Sequence, residues 1–268
     1  MKFIMYCEGE FADIQSVLDV ARLFNAQEDV ILLSDGKNNA KGVTNVDISD
    51  YYTEASALKN LYQHKSTNPY EFELISIIRW CVLSEYVQKN GVEEFYFCDY
   101  DVISCFSAGG EASYWVGNDF CLSNHISGGI SFWFNMDALE DYVNLMFDVY
   151  SGADKEAREY VFGHYEHLKK TNQPGGVCDM TFLAYMRTLD KYTIGELCDI
   201  KKDSVFDPNI MITEGWKEHN GCKDIYFHEG MPYCDGDKGP IKFKAIHCSF
   251  LGKPKIKRYC NEILKYWR

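Results

Sequence analysis

Apolar positions in the first hundred residues fall into two kinds of run. Lys2–Cys7 and Val30–Ser34 are short, almost wholly apolar stretches and read as buried strands. Between them, residues 11–24 place Ile14, Val17, Leu18 and Ala21 near helical spacing. The second strand closes on Asp35-Gly36, a turn signal. A longer helical pattern opens at Asn68-Pro69, with proline at the first position. It carries Leu74, Ile77, Ile78, Cys81, Val82 and Val87 and stops at Gly91. Residues 95–98 then form an aromatic-rich strand. This strand–helix–strand rhythm predicts an α/β fold with a central, mostly parallel sheet flanked by helices. Ligands are then expected at the C-terminal ends of the strands.

The second half is less regular. Residues 128–134 read as a strand, 137–150 and 179–187 as helices, 242–247 as a last strand and 257–266 as a basic terminal helix. The polar, turn-rich stretch 199–239 reads as loop. No repeat, low-complexity tract or Pro/Gly/Ser-rich linker divides the chain, which predicts a single domain over residues 1–268.

Composition narrows the function classes. The 268 residues are 46% hydrophobic, which excludes a disordered chain. The formal net charge of −13 repels nucleic acid and anionic membranes, so an anionic ligand needs a local positive element. Eleven cysteines are scattered without a C-x-x-C pair, which argues against a zinc ribbon and for free thiols in a reducing compartment. The apolar start turns acidic at Glu8, too soon for a signal peptide, and no run reaches the ~20 apolar residues of a membrane span. The expectation is a soluble, cytoplasmic protein of undetermined oligomeric state.

The chemistry concentrates at the end of the third strand, Phe-Tyr-Phe-Cys-Asp99-Tyr-Asp101. On an extended backbone, carboxylates at i and i+2 lie on the same side. Oxygen ligands suit hard cations such as Mg2+ or Mn2+. Three other features agree. Arg79-Trp80 sits in an otherwise apolar helix and needs an anionic partner, either an acid or nucleotide of the site or a structural pair with Glu73 or Glu85. His247 follows the last strand as a further candidate ligand, with Gly252-Lys253 placed to approach and neutralise a diphosphate. Gly128-Gly129 and Gly175-Gly176 allow a ligand close to the backbone, and Asp179 opens a helix as either a base or an N-cap. A second D-x-D, Asp235 and Asp237, lies in a turn-rich stretch and reads as loop, while His164 and His167 read as a surface helix.

In this order the motifs resemble Leloir glycosyltransferases of the GT-A, Rossmann-like fold, which carry a D-x-D metal motif. The resemblance implies that Asp99, Asp101 and His247 hold Mn2+ or Mg2+ against the diphosphate of a UDP- or GDP-sugar. It implies that Tyr6, Glu8 and Asp35 surround base and ribose, with Arg79 and Lys253 also at the donor. It further implies that Gly128, Gly129 and Asp179 face the donor sugar and a glycan or glycoconjugate acceptor. Asp179 would be the base of an inverting transfer or would position the sugar in a retaining one. Residues 1–103 would then form the nucleotide-sugar half and 104–268 the acceptor half with the metal and phosphate tail. The spacing His-x-x-x-x-Gly-Lys departs from the family pattern and leaves the register of Lys253 open. Two rival classes are a nucleotidyltransferase or sugar-nucleotide pyrophosphorylase, and a non-catalytic carbohydrate-binding protein. Against the first, the turn Cys7-Glu8-Gly9-Glu10 is acidic where a phosphate loop would be glycine-rich.

Overall fold

The apolar runs become the middle of a seven-stranded sheet in the computed structural model, which describes residues 1–26 and 29–267. In chain order the first elements are β1 (Lys2–Cys7), α1 (Ile14–Phe24), β2 (Val30–Ser34), β3 (Thr44–Asp47), α2 (Thr53–Leu61) and α3 (Tyr70–Lys89). There follow β4 (Phe95–Asp99), β5 (Val102–Ser104), α4 (Ala108–Ala112), β6 (Phe120–Ser123), β7 (Ser127–Trp133), α5 (Met136–Ser151), α6 (Lys155–Lys170) and α7 (Asp179–Thr188). The chain closes with β8 (Ile194–Glu196), β9 (Ser204–Asp207), β10 (Glu218–His219), β11 (Cys222–Lys223), β12 (Tyr226–His228), β13 (Met231–Gly236), β14 (Gly239–His247) and α8 (Ile256–Trp267).

The large sheet runs β3-β2-β1-β4-β7-β6-β8. Strands β3, β2, β1 and β4 are mutually parallel, β7 is antiparallel to both its neighbours, and β6 and β8 are parallel. This is the expected α/β arrangement. Alternate residues of each central strand feed two separate cores. Phe3, Met5, Val30, Leu32, Tyr96 and Cys98 face α1, α8 and a smaller sheet. Ile4, Tyr6, Ile31, Leu33, Phe95 and Phe97 face α2, α3 and α5. Covering both faces makes the strand runs continuous rather than alternating.

The stretch 199–239 is not loop. It supplies β9 to β13, and with β14 and β5 most of them build a second sheet, ordered β12-β13-β14-β5 with β9 parallel to β14. The strands of this stretch escape the apolar pattern because they are only two to six residues long, and β13 buries only alternate positions, Pro232 and Cys234. Helix α3 begins at Tyr70, so Pro69 caps it instead of filling the first helical position. All eleven cysteines are free, nine of them buried. Among the described residues, no helix is long and apolar enough to cross a membrane.

Candidate active site

Strand β4 leaves the large sheet at Asp99, and β5 enters the small one at Val102. The D-x-D segment is therefore the junction of the two sheets. Tyr100 and Asp101 form a turn, so the carboxylates converge through that turn and not along an extended strand. Strand β14 pairs antiparallel with β5, placing His247 opposite Val102, and the Cys248 N–H donates to the Asp101 carbonyl at 2.9 Å. His247 Nε2 thereby comes 3.3 Å from Asp101 Oδ1. Ligand atoms of Asp99, Asp101 and His247 all lie within 4.8 Å of one another, and no other such trio occurs among the described residues.

The donor set fits a hard or borderline divalent cation: two carboxylate oxygens and one imidazole nitrogen. The Pro208 carbonyl accepts from His247 Nδ1 at 2.8 Å, which leaves Nε2 facing the carboxylates. Burial alone would lower the His247 imidazole, but the hydrogen bond and charge of Asp101, with Asp99 behind it, carry it up to about 9. Burial alone would raise Asp101, but His247 and Lys253 outweigh it and hold the carboxyl below the usual range. For Asp99 burial wins over Arg79 and His247, and its carboxyl is raised.

Arg79 resolves in favour of the site acids. Its guanidinium bridges Asp99, through Nη1, and Asp179, through Nη2 at 2.7 Å. Glu73 instead takes Ser66 and Asn68, and Glu85 takes Lys89. Asp179 is buried as the first residue of α7. One of its oxygens accepts from Arg79 and from Trp80 Nε1 at 3.2 Å, and the other from the Met180 N–H at 2.9 Å. The helix cap is Cys178, so the N-cap role does not fall to Asp179.

Lys253 reaches the cluster despite its unusual spacing. Its Nζ donates to the Tyr100 hydroxyl at 2.7 Å and lies 3.5 Å from Asp101 Oδ2. Tyr6 stands opposite Asp99 in the β1–β4 register and donates from its hydroxyl to Glu8 at 2.7 Å. The Gly9 N–H donates to Asp35 at 3.1 Å, tying the turn after β1 to the end of β2. The two glycines of β7 differ. A Cβ on Gly129 would lie 2.6 Å from Asp99 Oδ2, so that glycine leaves room for the carboxylate. The room at Gly128 is filled by Trp80, so a side chain there would collide with the indole.

Asp235 and Asp237 belong to the β13–β14 hairpin, and His164 and His167 lie on α6 away from the cluster. Sequence reasoning missed Tyr100, Asp207, Pro208 and Lys223. The last three lie in the stretch read as loop and carry no local signal.

No family model matches the chain, and no curated protein matches it. It is similar to solved structures whose names are those of glycosyltransferases. One is mouse xyloside xylosyltransferase 1 in its apo form, at 9% identity over 76% of this chain and 87% of that one, with a TM-score of 0.47. Another is the galactosyltransferase LgtC in complex with donor and acceptor sugar analogs, at 10% identity over 97% and 95%, with a TM-score of 0.43. A third is the glycosyltransferase GlyE of Streptococcus pneumoniae, at 11% identity and a TM-score of 0.38, where 74% of this chain spans 46% of that one.

Proposed function

We propose that the protein is a metal-dependent glycosyltransferase of GT-A type. It would move a sugar from a UDP- or GDP-sugar to a hydroxyl of a glycan or glycoconjugate acceptor. The observation that carries this reading is the convergence of Asp99, Asp101 and His247 at the C-terminal end of β4, with two cationic side chains beside them. Asp99, Asp101 and His247 would hold Mn2+ or Mg2+, which when bound supplies the positive charge that a diphosphate leaving group needs.

The residues themselves divide the remaining work. Lys253, oriented by the Tyr100 hydroxyl, is placed to offset charge on the departing diphosphate. Tyr6 at the end of β1 and the tied turns bearing Glu8 and Asp35 would form the wall for base and ribose, with residues 1–103 as the nucleotide side. Asp179 is bonded on both oxygens, to Arg79 and Trp80 through one and to the Met180 N–H through the other, which fixes its carboxylate in place. In our reading it orients the donor sugar and, through Arg79, Asp99, the role a retaining transfer needs. In that transfer the bond from the anomeric carbon to the phosphate oxygen breaks with its electron pair leaving on the nucleoside diphosphate. The acceptor oxygen bonds the same carbon, and its proton passes to the departing diphosphate.

The test is thermal unfolding with UDP or GDP in the presence and absence of Mn2+, followed by a panel of nucleotide sugars screened for metal-dependent hydrolysis. Stabilisation by a nucleotide only with metal, and its loss in Asp101→Ala at unchanged fold, are expected. Full turnover by Asp101→Ala would overturn the site. Formation of a nucleotide sugar from pyrophosphate would favour the pyrophosphorylase class instead.

A further inference from the structure

The stretch that the sequence pattern leaves as loop holds His247 from two directions. Strand β9 lies parallel to β14, with Asp207 opposite Ile246, beside the imidazole-bearing position. The next residue, Pro208, accepts from the ring at Nδ1, and the Ile210 N–H donates to the His247 carbonyl at 2.9 Å. Side chain and main chain of His247 are thus both tied to residues 208–210.

That segment is in turn tied by one side chain from β11. Lys223 Nζ donates to Asp207 Oδ1 at 2.7 Å and to the Asn209 carbonyl at 2.8 Å. The Lys223 N–H donates to the Ile210 carbonyl at 2.8 Å. Side-chain exposure is 2% for Lys223 and 0% for Asp207, so water screens neither charge. A buried ion pair is often no more stabilising than an apolar pair of the same volume, so stability is a weak account of it. What the apolar pair would not supply is the bond to Asn209 and the fixed spacing of 207, 209 and 210.

We propose that the buried Lys223–Asp207 pair is a positioning device for His247, fixing the ring through Pro208 and thereby setting the affinity of the Asp99–Asp101–His247 cluster for a divalent cation. The effect on affinity rests on the metal reading above, whereas the fixing of the ring does not. Ligand orientation by a second layer of hydrogen bonds changes metal affinity by roughly 10–100-fold in other sites.

Lys223→Met alone leaves an unpaired buried carboxylate and is open to misfolding, so the decisive variant is Asp207→Leu/Lys223→Met, which replaces the pair by apolar groups. Cooperative thermal unfolding checks that the double variant folds. In the parent protein, 15N-histidine spectra without metal are expected to show a slowly exchanging His247 ring N–H, assigned by its absence in His247→Gln. In the folded double variant that signal is expected to disappear, and the Mn2+ dissociation constant, read by electron paramagnetic resonance, to rise about 10–100-fold. A double variant that keeps both the protected ring N–H and the parent's Mn2+ affinity would overturn the proposal. Failure of the parent to bind Mn2+ would overturn the metal reading and the effect on affinity. The ring N–H then still decides whether the pair positions His247.

Discussion

Raising the pH from 7 to 9 is expected to tighten Mn2+ binding about 50-fold, equivalent to about 2.3 kcal/mol, through a single proton on His247. The Pro208 carbonyl can only accept, so Nδ1 keeps its hydrogen in both charge states and the titrating proton is the one on Nε2. Asp101 and Asp99 hold that proton on until about pH 9, and an incoming cation must displace it. Affinity should therefore climb about tenfold per unit between pH 6.5 and 8.5 and level off above 9. Calorimetric titrations in two buffers of different ionisation enthalpy should count about one proton released per metal at pH 7. In His247→Gln the affinity should be weak and nearly flat with pH. The metal-free protein should show the opposite trend. Its folded-state imidazole lies above the unfolded one, so the stabilisation is fully present below pH 6.5 and fades as pH rises through 9. The loss should amount to about 3 kcal/mol in chemical denaturation. A Mn2+ affinity unchanged between pH 7 and 8.5, or binding without proton release, would refute this reasoning.

Two further substitutions test the surrounding charges and packing. Arg79→Met leaves Asp99 and Asp179 buried without their shared cation, and should cost about 3–5 kcal/mol at pH 7 in urea unfolding. Burial already holds the Asp99 carboxyl above its ordinary value, and losing Arg79 raises it further, so part of the penalty belongs to its ionised form. It should shrink by about 1.4 kcal/mol per unit as pH falls below the raised value, and an equal penalty at pH 7 and 5 would contradict this. Gly129→Ala places a methyl 2.6 Å from Asp99 Oδ2, so the carboxylate must swing away. A stability loss of about 1–3 kcal/mol with at least tenfold weaker Mn2+ binding is expected, and unchanged binding by paramagnetic resonance would show that Asp99 does not serve as a ligand.

Much of the site is legible in the residue order alone. Asp99 and Asp101 stand out because a wholly apolar strand delivers two acids at its end. Arg79 stands out because a charge inside an apolar helix needs a partner. His247 follows another strand, and its meeting with Asp101 depends on the β5–β14 register, a long-range pairing that no local pattern encodes. Gly128 and Gly129 look alike in sequence, yet they face different neighbours because adjacent strand residues point to opposite sides, one toward Trp80 and one toward Asp99.

By itself the sequence determined the α/β class and the central strands, since strands covered on both faces must be apolar at every position. It also singled out the acids at a strand end, Asp99 and Asp101, which the structure brings together with His247. Only the tertiary structure decided which partner Arg79 takes, that Asp179 is engaged on both oxygens, and that 199–239 forms a sheet. Those outcomes depend on contacts between distant segments, whose short strands and single buried charges leave no periodic trace. The Lys223–Asp207 pair is the clearest case, a lysine and an aspartate that read as solvated loop and lie almost wholly buried behind His247.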